Sequence, residues 1–161
     1  MRDLLPVAEQ VGALLKARGE TVAIAESSSG GLLSAALLAV PGASAYFLGG
    51  AVVYTAKARM RLLDIPREAV SGMRSASEPY ALLLARTTAA RFASTWALSE
   101  TGAAGPAGNP YGDLPGHSCI ALAGPVERVI TVETGKTDRV ENMHDFARSA
   151  LELLLGEIAK A

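Results

Sequence analysis

Residues 21–39 read TVAIAESSSGGLLSAALLA, an apolar, partly β-branched run that crosses three serines and two glycines into a second apolar run. Thr21 to Ala25 predicts a buried strand, and Leu32 to Ala39, ended near Pro41 and Gly42, predicts a helix. The serines therefore belong to a strand-to-helix turn. A chain that builds such a turn around an apolar strand needs helices to cover the sheet, and the rest of the sequence supplies them.

Leu4, Val7, Ala8, Val11, Leu14 and Leu15 recur at helical spacing, with Asp3 as the expected N-cap and Gly19 as the stop. Tyr46 to Tyr54 reads as a second strand, followed by the basic, amphipathic stretch Ala56 to Leu63. Ser77-Glu78-Pro79 opens a helix whose expected buried face is Ala81, Leu84, Ala85, Thr88 and Phe92. Trp96 to Ser99, Ser118 to Ala123 and Arg128 to Thr134 read as strands, and TGAAGPAGNPYGDLPG, Thr101 to Gly116, as one long loop. Asp138 with Glu141 forms a capping box for a last helix with the stripe Met143, Ala147, Ala150, Leu151, Leu154 and Ile158. This mixed alternation predicts one α/β domain over residues 1–161, a three-layer α/β/α sandwich with a mixed, mostly buried sheet.

Half of the 161 residues are hydrophobic, enough for one sizeable core. A formal net charge of −1 without blocks of like charge argues against nucleic acid as a partner. No apolar run reaches the ~20 residues needed to span a bilayer, so no membrane partner is expected. The single Cys119 has no internal disulfide partner, and the N-terminus lacks the apolar core of a signal peptide, so a cytoplasmic location is expected. His117 and Cys119 are grouped with no further ligands, which predicts neither metal nor cofactor. A small domain with several apolar elements is expected to pair with itself.

Ser27, Ser28 and Ser29 either cap the helix or include a nucleophile beside backbone N–H groups able to hold an anion. The turn is not a G-x-S-x-G elbow. Of the cluster Lys57, Arg59 and Arg61, only a lysine serves readily as a base, because a guanidinium keeps its proton at neutral pH.

AESSSGG, Ala25 to Gly31, resembles the AESCTGG signature of the CinA C-terminal domain family, the nicotinamide-nucleotide amidases. The likeness continues through VPGASAYFLGGAVVYTAKARMRLLDI, Val40 to Ile65, through SASEPYALLLA and SETGAAGPAG, and covers nearly the whole chain. It implies an α/β/α fold and hydrolysis of the carboxamide of nicotinamide mononucleotide to nicotinate mononucleotide and ammonia. It further implies Ser27 as nucleophile, Tyr54 as the motif tyrosine, Thr101 and Gly102 as one wall of the pocket, and Arg139 as partner of the nucleotide phosphate. N–H groups around Ser29, Gly30 and Gly31 would hold the oxyanion or the phosphate.

Four departures bear on the chemistry. Arg59 stands where the family has its catalytic lysine. Ser28 and Ser29 replace the cysteine and threonine of the signature, Glu100 stands where an apolar residue is typical, and NPYGDLPGH, Asn109 to His117, replaces P-V-G-T. A relocated base, Lys57 or His117, is one consequence; an altered substrate or a ligand-binding relative without turnover is another.

Overall fold

A computed structural model describes residues 1–161. Five strands form one mixed sheet in the order β2-β1-β3-β4-β5. They are β1 (Val22–Glu26), β2 (Phe47–Val52), β3 (Trp96–Ala103), β4 (His117–Ala123) and β5 (Arg128–Glu133). β1 pairs in parallel with β2 and β3, whereas β4 runs antiparallel to both β3 and β5. The carboxyl ends of β1, β2, β3 and β5 consequently open on one edge of the sheet, where the connections of an α/β fold present their ligand-binding groups.

Helices α1 (Leu5–Arg18), α2 (Leu32–Leu38) and α5 (Arg139–Lys160) cover one face; α3 (Ala56–Leu63) and α4 (Glu78–Phe92) cover the other. The α1/α2/α5 side joins 21 buried residues, against 7 and 5 in two clusters on the α3/α4 side, so stability resides mainly on the first face. The largest fully buried side chain, Trp96, directs Nε1 at Glu20 Oε2, 2.7 Å away. No helix is long and apolar enough to cross a membrane.

Several boundaries differ from expectation, each for a local reason. Leu4, not Asp3, is the N-cap of α1, because Asp3 is drawn to the amino terminus (3.0 Å) and to Arg148 (2.9 Å). The second strand ends at Val52, leaving Tyr54 exposed beyond it, while Tyr46 is buried with its hydroxyl on Leu37 O at 2.6 Å. Phe92 is only half-buried at the end of α4. β3 runs on to Ala103, so Thr101 and Gly102 lie in a strand rather than a loop, opposite Cys119 and Ser118 of β4. Gly102 is needed there because a Cβ would sit 2.4 Å from the His117 carbonyl. Asp138 does cap α5, its carboxylate accepting from Glu141 N at 2.9 Å.

Candidate active site

β1 delivers Glu26 and the serine turn to the open edge, and β3, its neighbour, delivers Glu100. Both carboxylates are fully buried, and every partner of each is a neutral N–H or O–H. Burying a carboxylate requires such donors, and the turn provides them.

Glu26 accepts from Leu33 N (3.1 Å), Ser34 N (3.0 Å), Ser34 Oγ (2.7 Å) and Ser29 Oγ (2.9 Å). It fills the start of α2, which has Gly31 at its N-cap and no side-chain cap of its own. Glu100 accepts through Oε2 from Ser27 N (3.1 Å), Ser29 N (2.8 Å) and Ser29 Oγ (2.9 Å). Its Oε1 accepts from Ser118 Oγ (2.8 Å) and from Ser28 Oγ. Ser29 Oγ therefore lies between the two carboxylates with one proton to offer both.

The N–H groups expected to hold an anion are largely committed inside the turn. Gly30 N donates to Ser27 O at 3.1 Å, and the helix amides of Leu33 and Ser34 belong to Glu26. Ser27 is half-buried and enters the network through its backbone N–H alone, its Oγ forming no hydrogen bond.

Beside the turn lies a cradle of about 220 Å³ lined by Ser28, Tyr54, Gly102, Gly105, Asn109 and Arg139, among others. Arg139 closes its rim, donating through Nη1 to Gly105 O (2.7 Å) and through Nη2 to Tyr54 Oη (3.2 Å), with its guanidinium 6.0 Å from the tyrosine ring centre. It has no carboxylate partner. Its remaining N–H groups are free to meet an anion at the mouth.

Arg59 and the proposed bases, Lys57 and His117, are not gathered here. Arg59 is buried, with Nε donating to Ile65 O (3.3 Å), Nη1 to Tyr80 Oη (3.5 Å), and its guanidinium 5.9 Å from the Tyr80 ring centre. Lys57 is exposed, and with Arg59 and Arg67 it lines a separate groove of about 820 Å³ that shares no residue with the cradle.

His117 faces the other way. Its Nε2–H donates to Ala76 O at 2.9 Å and its Nδ1–H to Glu133, with Asp113 3.7 Å from Nε2. Because carbonyl and carboxylate only accept, both bonds are made when both ring nitrogens carry protons. Burial opposes that charge, yet the bonds to Glu133 and Ala76 and the charges of Glu133 and Asp113 raise the His117 pKa overall. A doubly donating imidazolium is a clamp rather than a base. Thr101 serves the same clamp, its Oγ1 accepting from Ala76 N at 3.2 Å and fixing Ala76 at a φ of 54°. Burial pushes the Cys119 thiol up, which keeps it protonated and poorly nucleophilic. No three His, Cys, Asp or Glu side chains converge as metal ligands do.

The comparisons agree with this architecture. A family profile described as CinA C-terminal domain matches residues 4–158. The chain belongs to the CinA C-terminal domain family. A CinA-like protein from Anaeromyxobacter sp. (strain K) is 40% identical over 155 residues, covering 95% of this chain and 37% of the relative. One from Gloeobacter violaceus is 38% identical over 158 residues, covering 94% and 36%. The chain thus spans about a third of the length of the curated relatives it matches. The solved competence/damage inducible protein of Agrobacterium tumefaciens is 28% identical with a TM-score of 0.88, over 96% of this chain and 94% of that one. A CinA superfamily protein from Klebsiella pneumoniae shares the fold at a TM-score of 0.91 and 23% identity, over 98% and 99% of the two chains.

The serine turn, Tyr54 and Arg139, which the family resemblance singles out, lie together at one edge of the sheet. Glu26, to which the resemblance gives no role, joins them there. The signal was present: a carboxylate closing a wholly apolar strand must be met by internal donors, and serines three and eight residues later are such donors.

Proposed function

We propose that this CinA-family chain hydrolyses the carboxamide of nicotinamide mononucleotide, or of a closely similar phosphorylated carboxamide, to the acid and ammonia through a serine of the 27–29 turn. One observation carries the reading. Ser28 and a carboxylate-free arginine, Arg139, line the same small cradle. A space of about 220 Å³ suits a ring carboxamide rather than a whole nucleotide, so the phosphate extends past the rim to Arg139 and Tyr54. The hydroxyl then meets the amide carbon while the guanidinium holds the phosphate, which is the positioning that acyl transfer requires.

The test is formation of ammonia and the acid product from nicotinamide mononucleotide, compared with unphosphorylated nicotinamide. Turnover of the nucleotide with little turnover of nicotinamide is expected; no ammonia at concentrations well above ~1 mM would refute the proposal.

A second reading, binding without turnover, is favoured by one feature: Arg59 stands at the lysine position and is tied to Ile65 and Tyr80. A ligand at ~100 Kd stabilises its binder by roughly 2.7 kcal/mol whether or not it reacts. A thermal shift of that size without ammonia would select this reading.

A further inference from the structure

We infer that Ser28, rather than Ser27, is the nucleophile of this chain, and that Glu100 is the base that takes its proton. The inference rests on the reading of the cradle as a site of amide hydrolysis. Ser28 lines the cradle and is only 3% exposed, and its Oγ–H donates to Glu100 Oε1. A nucleophile needs its base within hydrogen-bond reach and the base held in place by other groups. Glu100 meets both conditions: Ser27 N, Ser29 N, Ser29 Oγ and Ser118 Oγ fix it at 3.1, 2.8, 2.9 and 2.8 Å. Ser27 Oγ has no such partner, Lys57 and Arg59 line another groove, and both nitrogens of His117 are committed to Ala76 and Glu133.

Two of the departures in the sequence thereby become one. Here Ser28 occupies the cysteine position of the signature, and the carboxylate bonded to it, Glu100, occupies a position where an apolar residue is typical.

The steps balance without a further reagent. Ser28 Oγ bonds to the amide carbon as its proton passes to Glu100 Oε1; the C–N bond then breaks, and that proton leaves on nitrogen as ammonia. Water attacks the resulting ester and gives a proton to Glu100. The C–O bond breaks, the proton returns to Ser28 Oγ, and the carboxylic acid leaves.

The experiment is labelling of the intact protein with an alkyl fluorophosphonate, which bonds phosphorus to an activated serine with loss of fluoride, followed by peptide mapping. The expected result is a single label on Ser28, kept in Ser27→Ala, lost in Ser28→Ala, and formed about 10²- to 10⁴-fold more slowly in Glu100→Gln. Because Glu100→Gln disturbs a buried network, its folding is checked by circular dichroism, and Ser28→Ala, which leaves the other four bonds to Glu100 intact, carries the test should that variant not fold. A label on Ser27, a label that survives Ser28→Ala, or no label on the parent protein would overturn the inference. Labelling at Ser28 without ammonia from nicotinamide mononucleotide would support the Ser28–Glu100 pair and refute only the proposed substrate.

Discussion

Glu26 and Glu100 end neighbouring parallel strands, are equally inaccessible to solvent, and share the hydroxyl of Ser29. Their surroundings nevertheless differ in one respect. Three of the four donors to Glu26 come from the first turn of α2. One donor to Glu100 is Ser28, whose side of the turn faces the cradle. Burial and hydrogen bonding therefore do not separate a structural carboxylate from a chemical one; a donor from a residue of the cradle wall does. Glu26 supplies the acceptor that Gly31 cannot provide at the helix start, and Glu100 offers a proton acceptor to the hydroxyl of a residue that lines the cradle.

The largest effect should separate the two carboxylates by turnover. Glu100→Gln is expected to lower kcat about 10²- to 10⁴-fold with little change in KM, whereas Glu26→Gln should leave kcat per folded molecule within a few-fold. Equal losses of kcat in both variants would erase the distinction. Next in size is the rim: Arg139→Ala removes a charge-assisted contact of about 1.5–3 kcal/mol, which corresponds to roughly 10- to 100-fold in KM for the phosphorylated carboxamide. Steady-state kinetics should show kcat nearly unchanged and no effect on unphosphorylated nicotinamide.

A smaller effect tests the structural half of the comparison. Glu26→Gln leaves at least one of the Leu33 and Ser34 amides without an acceptor and should cost about 1–3 kcal/mol in urea unfolding. Unchanged stability would show that α2 does not depend on Glu26.

The smallest concerns His117, a charged clamp outside the cradle. Its folded pKa lies above the ordinary value of 6.5, so its contribution is fully present below 6.5 and fades as pH rises through the raised value. Stability should therefore decline above pH 6.5, and His117→Asn should flatten that part of the profile. A profile unaltered by the substitution would remove His117 from the clamp.

Much of the fold was legible because local signals agreed with one another. The apolar strand Thr21 to Ala25, the capping pair Asp138 and Glu141, and the helix opening at Ser77 each matched the element formed there. Thr101 and Gly102 were not, since their glycine- and proline-rich neighbourhood signals a loop while their strand conformation depends on β4, paired only through the folded topology. The site was legible as a set of positions but not as a network. Glu100 reaches Ser28 and Ser29 across more than 70 residues of chain, and that meeting exists only because β1 and β3 lie side by side. The readings of Lys57 and His117 as bases followed from residue type. What opposes them is a long-range fact: His117 is clamped between Ala76 and Glu133, and Lys57 lines a different groove.

The most direct measurement is the rate of ammonia release from saturating nicotinamide mononucleotide by Ser28→Ala and by Ser27→Ala. If Ser28 and Glu100 form the working pair, Ser28→Ala falls at least about 10³-fold while Ser27→Ala stays within about tenfold of the parent. The reverse order, with Ser27→Ala inactive and Ser28→Ala active, would contradict it.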